Sequence, residues 1–132
     1  MATADQTVHD TFLKLHLEHQ FRYIIYEIKD SKVIVVAKTG DRHAAFEELA
    51  TELPKDDCRF AVADFTYTSN CGRPADKTVL IFWTPDSAPI ASKMIYKASN
   101  DAIKAAHTGV GIYITASNAS ALEHESILKQ VE

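Results

Sequence analysis

Glycine, cysteine and basic residues are all scarce in this sequence. Its four glycines form neither a Gly-x-Gly-x-x-Gly pattern nor a P-loop, which argues against a phosphate site built on a Gly-rich loop. Fourteen basic and eighteen acidic residues give a net charge of −4. A general nucleic-acid-binding protein needs a basic surplus to displace counterions from phosphates. The composition therefore predicts no nucleic-acid partner.

The two cysteines, Cys58 and Cys71, are too few to form a zinc cage and do not make a Cys-x-x-Cys pair. Cys58 begins an apolar segment, where a small buried hydrophobic residue fits better than a nucleophile. An enzyme that uses Cys58 is the alternative from a different class of protein. That enzyme requires an exposed thiolate beside a positioned base, so thiol labelling of the native protein separates the two interpretations.

Long apolar runs are lacking as well. The longest, residues 78–83, has the length of a strand and not of a transmembrane helix. The first five residues lack the basic and apolar regions of a signal peptide. We therefore expect a cytoplasmic protein, and the absence of a basic cluster gives no sign of a nuclear localisation signal, although nuclear entry stays open.

At 132 residues the chain has room for one core, and no linker or repeat divides it. We predict a single domain over residues 1–132. Segments rich in β-branched and aromatic residues predict strands at 21–28, 32–39, 58–68, 78–83 and 112–116. Helical spacing and breakers predict helices at 7–18, from Gly40-Asp41 to Pro54, at 89–107 and at 121–130.

This alternation predicts an α/β fold in which a five-stranded mixed β-sheet is flanked by helices on both faces. The fourth strand is apolar at nearly every position, which places it in the centre of the sheet. Poor helix formers at 99–100 predict a kink in the long helix. On that helix we expect Ile90, Met94 and Ala98 to pack inward, which leaves Ser92 and Lys93 available to a partner.

The six histidines offer one spacing of interest. His16 and His19 lie three residues apart on the predicted first helix, which could place two ligands on one face. No third ligand is evident nearby, and zinc sites need three or four. We therefore predict no metal site, no cofactor and no catalytic residues.

Three segments resemble motifs of the ADF/cofilin family. Residues 83–96, Trp-Thr-Pro-Asp-Ser-Ala-Pro-Ile-Ala-Ser-Lys-Met-Ile-Tyr, are similar to its Trp-Ser-Pro-Asp-x-Ala-Pro-Val-Arg-Ser-Lys-Met-Val-Tyr. Residues 53–65 resemble its Leu-Pro-x-Asp-Asp-Cys-Arg-Tyr-Ala-Val-Tyr-Asp-Phe, and residues 21–26 supply a third match. The motifs occur in the family's order, and the resemblance runs nearly from end to end, so it implies the family's single ADF-homology domain.

The resemblance also implies a function. Family members bind actin monomers, typically in the ADP form, bind between filament subunits, promote severing and disassembly, and catalyse no reaction. The monomer-binding residues implied by position are Thr3, Ala4, Asp5, Ala91, Ser92, Lys93 and Met94. The filament-binding residues implied by position are Arg73, Lys77 and Lys129.

Departures from the family pattern fall at charged positions. Ala91 stands where the family's helix usually has Arg, which loses a bidentate donor. Ala75 occupies an often basic position, and the chain stops at Glu132 without a basic tail. We therefore expect monomer binding and depolymerisation to be stronger than filament binding and severing. The alternative is an ADF-homology protein that acts on the Arp2/3 complex or on filament ends without depolymerising.

Regulation follows the same resemblance. Members are commonly silenced by phosphorylation of a Ser near the N-terminus, and because none lies there, Thr3 is the candidate here. The first helix is also about one turn shorter than the family's. Contact with phosphoinositide head groups is implied for Lys93, Lys97 and Lys104. We expect the protein to be a monomer.

Overall fold

A computed structural model describes residues 3–30, 32–44, 47–107, 110 and 112–131. Over these residues the strands are β1 (Thr3–Ala4), β2 (Phe21–Lys29), β3 (Val33–Asp41), β4 (Arg59–Thr68), β5 (Pro74–Trp83) and β6 (Ile112–Ala116). The helices are α1 (Gln6–His16), α2 (Glu48–Glu52), α3 (Ile90–Ala98), α4 (Asn100–Ala106) and α5 (His124–Val131), with a 3-10 turn at Ala119–Leu122. None of the described helices is long and apolar enough to cross a membrane.

The strands form one mixed sheet in the order β1-β3-β2-β4-β5-β6, which confirms the predicted α/β class. The middle strands are antiparallel, and the pairs β1–β3 and β5–β6 are parallel. The predicted count of five misses β1. Hydrogen bonds to β3 and the residue before it hold β1 in the sheet. The N–H groups of Thr3 and Asp5 donate to the carbonyls of Lys32 and Ile34, each at 3.0 Å. A two-residue strand is too short to show a period in the sequence.

Both faces of the sheet carry a hydrophobic layer, as predicted. Alternation along β2 sends Tyr23 and Ile25 to one layer and Ile24 and Tyr26 to the other. Residues of α2 and α5 complete the first layer, and residues of α1, α3 and α4 complete the second. The sheet therefore separates the two sets of helices, and α3 and α4 share their face with α1.

Strand β5 differs from its prediction in length and position. It begins at Pro74, four residues before the predicted start, and it lies between β4 and β6 instead of at the centre. The early half, residues 74–78, is mostly exposed and has no large apolar side chain, so it gave no apolar pattern. The later half, which includes Val79, Leu80 and Ile81, is buried on both faces as predicted.

The predicted end of the second strand at Gly40 is wrong. Gly40 lies inside β3 and pairs with Tyr23. A Cβ atom at this position would overlap the buried Tyr23 ring, so glycine is needed here for close packing and not for a turn. The helix that follows is shorter than predicted. Ala45 and Phe46, two of its expected apolar residues, lie outside the described residues, while Leu49 is buried as expected.

The predicted kink in the long helix is confirmed. Ser99 separates α3 from α4, and its Oγ donates a hydrogen bond to the carbonyl of Ile95 at 2.9 Å. A hydroxyl that bonds back to the preceding turn competes with the helical ladder and favours a bend. The last helix begins later than predicted, because a 3-10 turn occupies residues 119–122.

Candidate functional site

Helix α3 presents an apolar surface to solvent. Ile90 is 76% exposed and Met94 is 67% exposed, and their spacing of four residues puts them on one side of the helix. The expectation that Ile90, Met94 and Ala98 pack inward is wrong, since Ala98 is exposed too. The buried stripe of the helix pair consists of Tyr96, Ser99 and Ile103. Full burial of such a side chain would contribute about 1.5–3 kcal/mol to stability, and most of this is lost for Ile90 and for Met94.

The polar residues of α3 bond within the protein. Ser92 Oγ donates to Asp57 Oδ1 at 2.5 Å, and Arg59 Nη1 donates to Asp57 Oδ2 at 2.9 Å. Although burial opposes it, these bonds hold the pKa of Asp57 below its ordinary value. Lys93 Nζ donates to the carbonyl of Asp86 at 3.0 Å. Ser92 therefore holds α3 against the segment just before β4. Lys93 forms a hydrogen bond to the loop before α3.

The N-terminal residues of the predicted monomer site lie on the same face of the sheet as α3 and α4. Ala4 packs on the hydrophobic layer that contains Tyr96 and Ile103, and β1 contacts α4. Thr3 and Asp5 are exposed. Two segments far apart in sequence are thus combined in one part of the molecule.

The three predicted filament residues lie away from α3. Arg73 is exposed just before β5, and Lys77 is exposed on β5. Lys77 Nζ donates to the carbonyl of Val131 at 3.5 Å, which joins this strand to the end of α5. Lys129 is exposed on α5. The structure therefore brings the β4–β5 hairpin and α5 together, although Lys77 and Val131 are 54 residues apart in the sequence.

The lysines predicted to contact phosphoinositides differ in their environments. Lys97 is exposed on α3, whereas Lys104 on α4 is half-buried. The Lys104 ammonium lies 4.7 Å from the centre of the Tyr113 ring. This cation–π contact makes the ammonium less available to a ligand. Because Lys93 bonds to a backbone carbonyl, Lys97 has the most accessible charge of the three.

A groove that the sequence did not predict lies beside the loop between β5 and α3. It has a volume of about 580 Å³, and its lining includes Leu53, Trp83, Pro85 and Asn118. Trp83 is held at its edge by a 2.7 Å hydrogen bond from Nε1 to the carbonyl of Pro54. The lining comes from three separate parts of the chain, so no local pattern could reveal it.

Cys58 is buried, as predicted. Burial raises the pKa of its thiol, and Sγ lies 3.7 Å from Thr84 Oγ1. An inaccessible, protonated thiol is a poor nucleophile. The structure therefore gives no support to the enzyme that uses Cys58.

His16 and His19 do not act as a pair on one helix face. His16 stacks on Phe12 with ring centres 5.2 Å apart, and its Nδ1 lies 2.8 Å from Thr78 Oγ1. His19 lies beyond the end of α1 with a positive φ of 54°, and its Nδ1 lies 3.1 Å from Asp64 Oδ2. The two imidazoles thus have separate partners on β4 and β5.

Comparison with known proteins agrees with this architecture. The family model described as cofilin/tropomyosin-type actin-binding protein matches residues 1–132. Cofilin of Schizosaccharomyces pombe is 34% identical over 92% of this chain and 88% of its own length. Actophorin of Acanthamoeba castellanii is 32% identical over 100% and 95%. The crystal structure of Streptomyces griseoflavus cofilin superposes with a TM-score of 0.89 at 29% identity, covering 100% of both chains.

The mixed sheet covered by helices on both faces, together with the family match over residues 1–132, identifies an actin-binding protein of the ADF-homology type. The chain belongs to the ADF/cofilin family. The resemblance of residues 83–96 is therefore confirmed at the level of the family.

Proposed function

We propose that this protein, as a single ADF-homology domain, binds actin monomers, preferentially with ADP, and promotes filament disassembly without catalysing a reaction. The observation that carries the proposal is the pair Ile90 and Met94, whose large apolar side chains are exposed on one side of α3. An apolar helix face with flanking charge fits a hydrophobic cleft in a partner. Thr3, Ala4, Asp5, Ala91, Ser92, Lys93 and Met94 form the proposed monomer-binding set.

Within that set the residues have different tasks. Ser92 positions the helix through Asp57, and Lys93 is partly engaged by Asp86. The side chain of Ala91 provides no charge, so apolar contact supplies most of the affinity. We assign the anchoring role to Met94 and to its neighbour Ile90, which the family motif alone did not single out.

The second proposed surface contacts the filament through Arg73, Lys77 and Lys129. Three basic side chains spread over the hairpin and α5 provide few charge contacts, and exposed ion pairs contribute little each. Filament binding and severing are therefore weak relative to monomer binding. The protein acts as a monomer. It works in the cytoplasm with the actin cytoskeleton, and it can also enter the nucleus.

Co-sedimentation with filamentous actin tests this function. We expect soluble actin to rise with protein concentration while little of the protein pellets. The double variant Lys77→Ala/Lys129→Ala should pellet even less and keep its affinity for monomers, because its changes lie away from α3. Unchanged soluble actin without co-pelleting contradicts disassembly. That result favours the alternative, in which the protein acts on the Arp2/3 complex or on filament ends.

Regulation is proposed at the same surface. Thr3 is exposed, and its phosphorylation adds about two negative charges where actin docks. Phosphoinositide head groups would compete for Lys93, Lys97 and Lys104, with Lys97 the most accessible. We expect Thr3→Asp to lower monomer affinity by about tenfold or more, because like charges placed together at an interface are unfavourable. Phosphoinositide vesicles should also lower the affinity, because their head groups compete with actin for the same lysines. Thr3→Asn is the uncharged control, and equal affinities for both Thr3 variants contradict the proposal.

A further inference from the structure

Three metal-ligating atoms meet at the end of α1. They belong to His19, Asp64 and Asp76, and they all lie within 4.8 Å of one another. The pairing of β4 with β5 explains the two carboxylates. Asp64 lies opposite Thr78, and Asp76 is two residues from Thr78, so both aspartates project from one face of the sheet. The contact of His16 with Thr78 brings the end of α1 over that face.

The spacing of these atoms matches a metal site. Nδ1 of His19 lies 3.1 Å from Asp64 Oδ2 and 3.6 Å from Asp76 Oδ2. Ligands at about 2.0–2.1 Å around a tetrahedral zinc ion lie roughly 3.4 Å apart, and the two observed distances fall on either side of that value. A hydrogen bond alone does not explain the arrangement, because one Nδ1–H serves one carboxylate well and leaves the second beside a like charge.

The surroundings give access to the site and hold the inner carboxylate in place. The Asp64 side chain is 12% exposed, whereas those of His19 and Asp76 are each 49% exposed. A cavity of about 430 Å³ lined by all three residues opens here, with room for water as a fourth ligand. The nearby Arg22 guanidinium donates to three backbone carbonyls, including that of Asp64 at 3.3 Å. That contact fixes the strand that carries the inner carboxylate.

We propose that His19, Asp64 and Asp76 bind a divalent transition-metal ion of the zinc type. One imidazole suits zinc and its neighbours in the first transition row, and two carboxylates neutralise a dication. The bound ion joins the end of α1 to β4 and β5. No third ligand lies near His16 and His19 in the sequence, which is why no metal site was predicted. The partners of His19 are 45 and 57 residues further along the chain.

Calorimetric titration of the whole chain with zinc chloride tests the site. Because the exposed thiol of Cys71 is itself a zinc ligand, the titration is made in a Cys71→Ser background. We expect saturation at one zinc per chain. His19→Gln and Asp76→Asn should each weaken binding by about tenfold or more, since even outer-shell changes cost that much. His9→Gln, at an exposed position on α1, should leave the affinity unchanged.

Cobalt gives a second readout that does not depend on heat. A Co²⁺ ion bound in tetrahedral geometry should give strong visible absorption, which His19→Gln should abolish and zinc should displace. Thermal melting checks that each variant folds, and because His19 and Asp76 are half-exposed, we expect little change in melting temperature. Absence of saturable zinc binding overturns the proposal. Undiminished binding by both His19→Gln and Asp76→Asn also overturns it, because the zinc then lies elsewhere.

Discussion

Replacing Met94 by alanine should weaken binding to monomeric actin by about tenfold or more while leaving the protein as stable as before. The reason is that Met94 is 67% exposed, so its side chain contributes little to the core and is free for the contact with actin proposed above. Truncation of a central apolar anchor typically costs 1–2 kcal/mol or more of binding energy. Affinity is measured with fluorescently labelled monomers, and stability by urea unfolding.

Leu17 provides a matched control for this experiment. It is 66% exposed and lies at the C-terminal end of α1, away from the proposed anchors. We expect Leu17→Ala to retain full affinity, and Ile90→Ala/Met94→Ala to lose more affinity than Met94→Ala alone. A loss of 2–5 kcal/mol in stability would instead mean that Met94 belongs to the core. Equal effects of Met94→Ala and Leu17→Ala would contradict the assignment of the surface.

Acid should destabilise the fold through His107. This residue is fully buried. Its Nδ1 lies 2.7 Å from the carbonyl of Ile103, and its Nε2 lies 2.7 Å from Tyr26 Oη. A carbonyl can only accept, so Nδ1 carries the proton and Nε2 accepts from the tyrosine hydroxyl. Burial, with a smaller contribution from His9, lowers the pKa of His107 to about 4.

The direction of the pH effect follows from that lowered pKa. The unfolded chain, with a histidine pKa of about 6.5, binds the proton before the folded protein does. Stability from the neutral imidazole is therefore complete above pH 6.5 and is lost as the pH falls toward 4. The loss amounts to roughly 3 kcal/mol. Free energies of unfolding measured from pH 7.5 to 4 should show it.

A variant isolates this histidine from the carboxylates. His107→Gln should be less stable at neutral pH, because glutamine leaves part of the buried space and hydrogen bonding unsatisfied. Its free energy of unfolding should nevertheless fall less steeply than that of the parent between pH 6.5 and 4. Parallel profiles for parent and variant would show that His107 does not titrate in this range.

Much of the fold could be predicted because the signals are local. The aromatic and β-branched run of β2, the apolar half of β5 and the break at Ser99 all appear as patterns over a few residues. The role of Gly40 could not be predicted, because the sequence does not show that the Tyr23 ring packs on it from the neighbouring strand. Strand β1 could not be predicted either, because its pairing with β3, and not its own composition, defines it.

The candidate binding surface on α3 could be predicted only in part. The motif located α3, but two apolar stripes run along this helix, and periodicity does not tell which one faces the sheet. The structure buries Tyr96 and Ile103 and leaves Ile90 and Met94 outside. The cluster at His19 depends on strand register, so its members could not be associated from sequence spacing.

The short first strand has a consequence for how molecules meet one another. β1 covers the outer edge of β3 only at Val33 and Ile34. Further along that edge β3 has an extra residue at Ala37 relative to β2, and Lys38 forms an ion pair with Glu52. A bulge and a charged residue make an edge a poor template for another strand. This edge of the sheet is thereby protected from pairing with a strand of a neighbouring molecule.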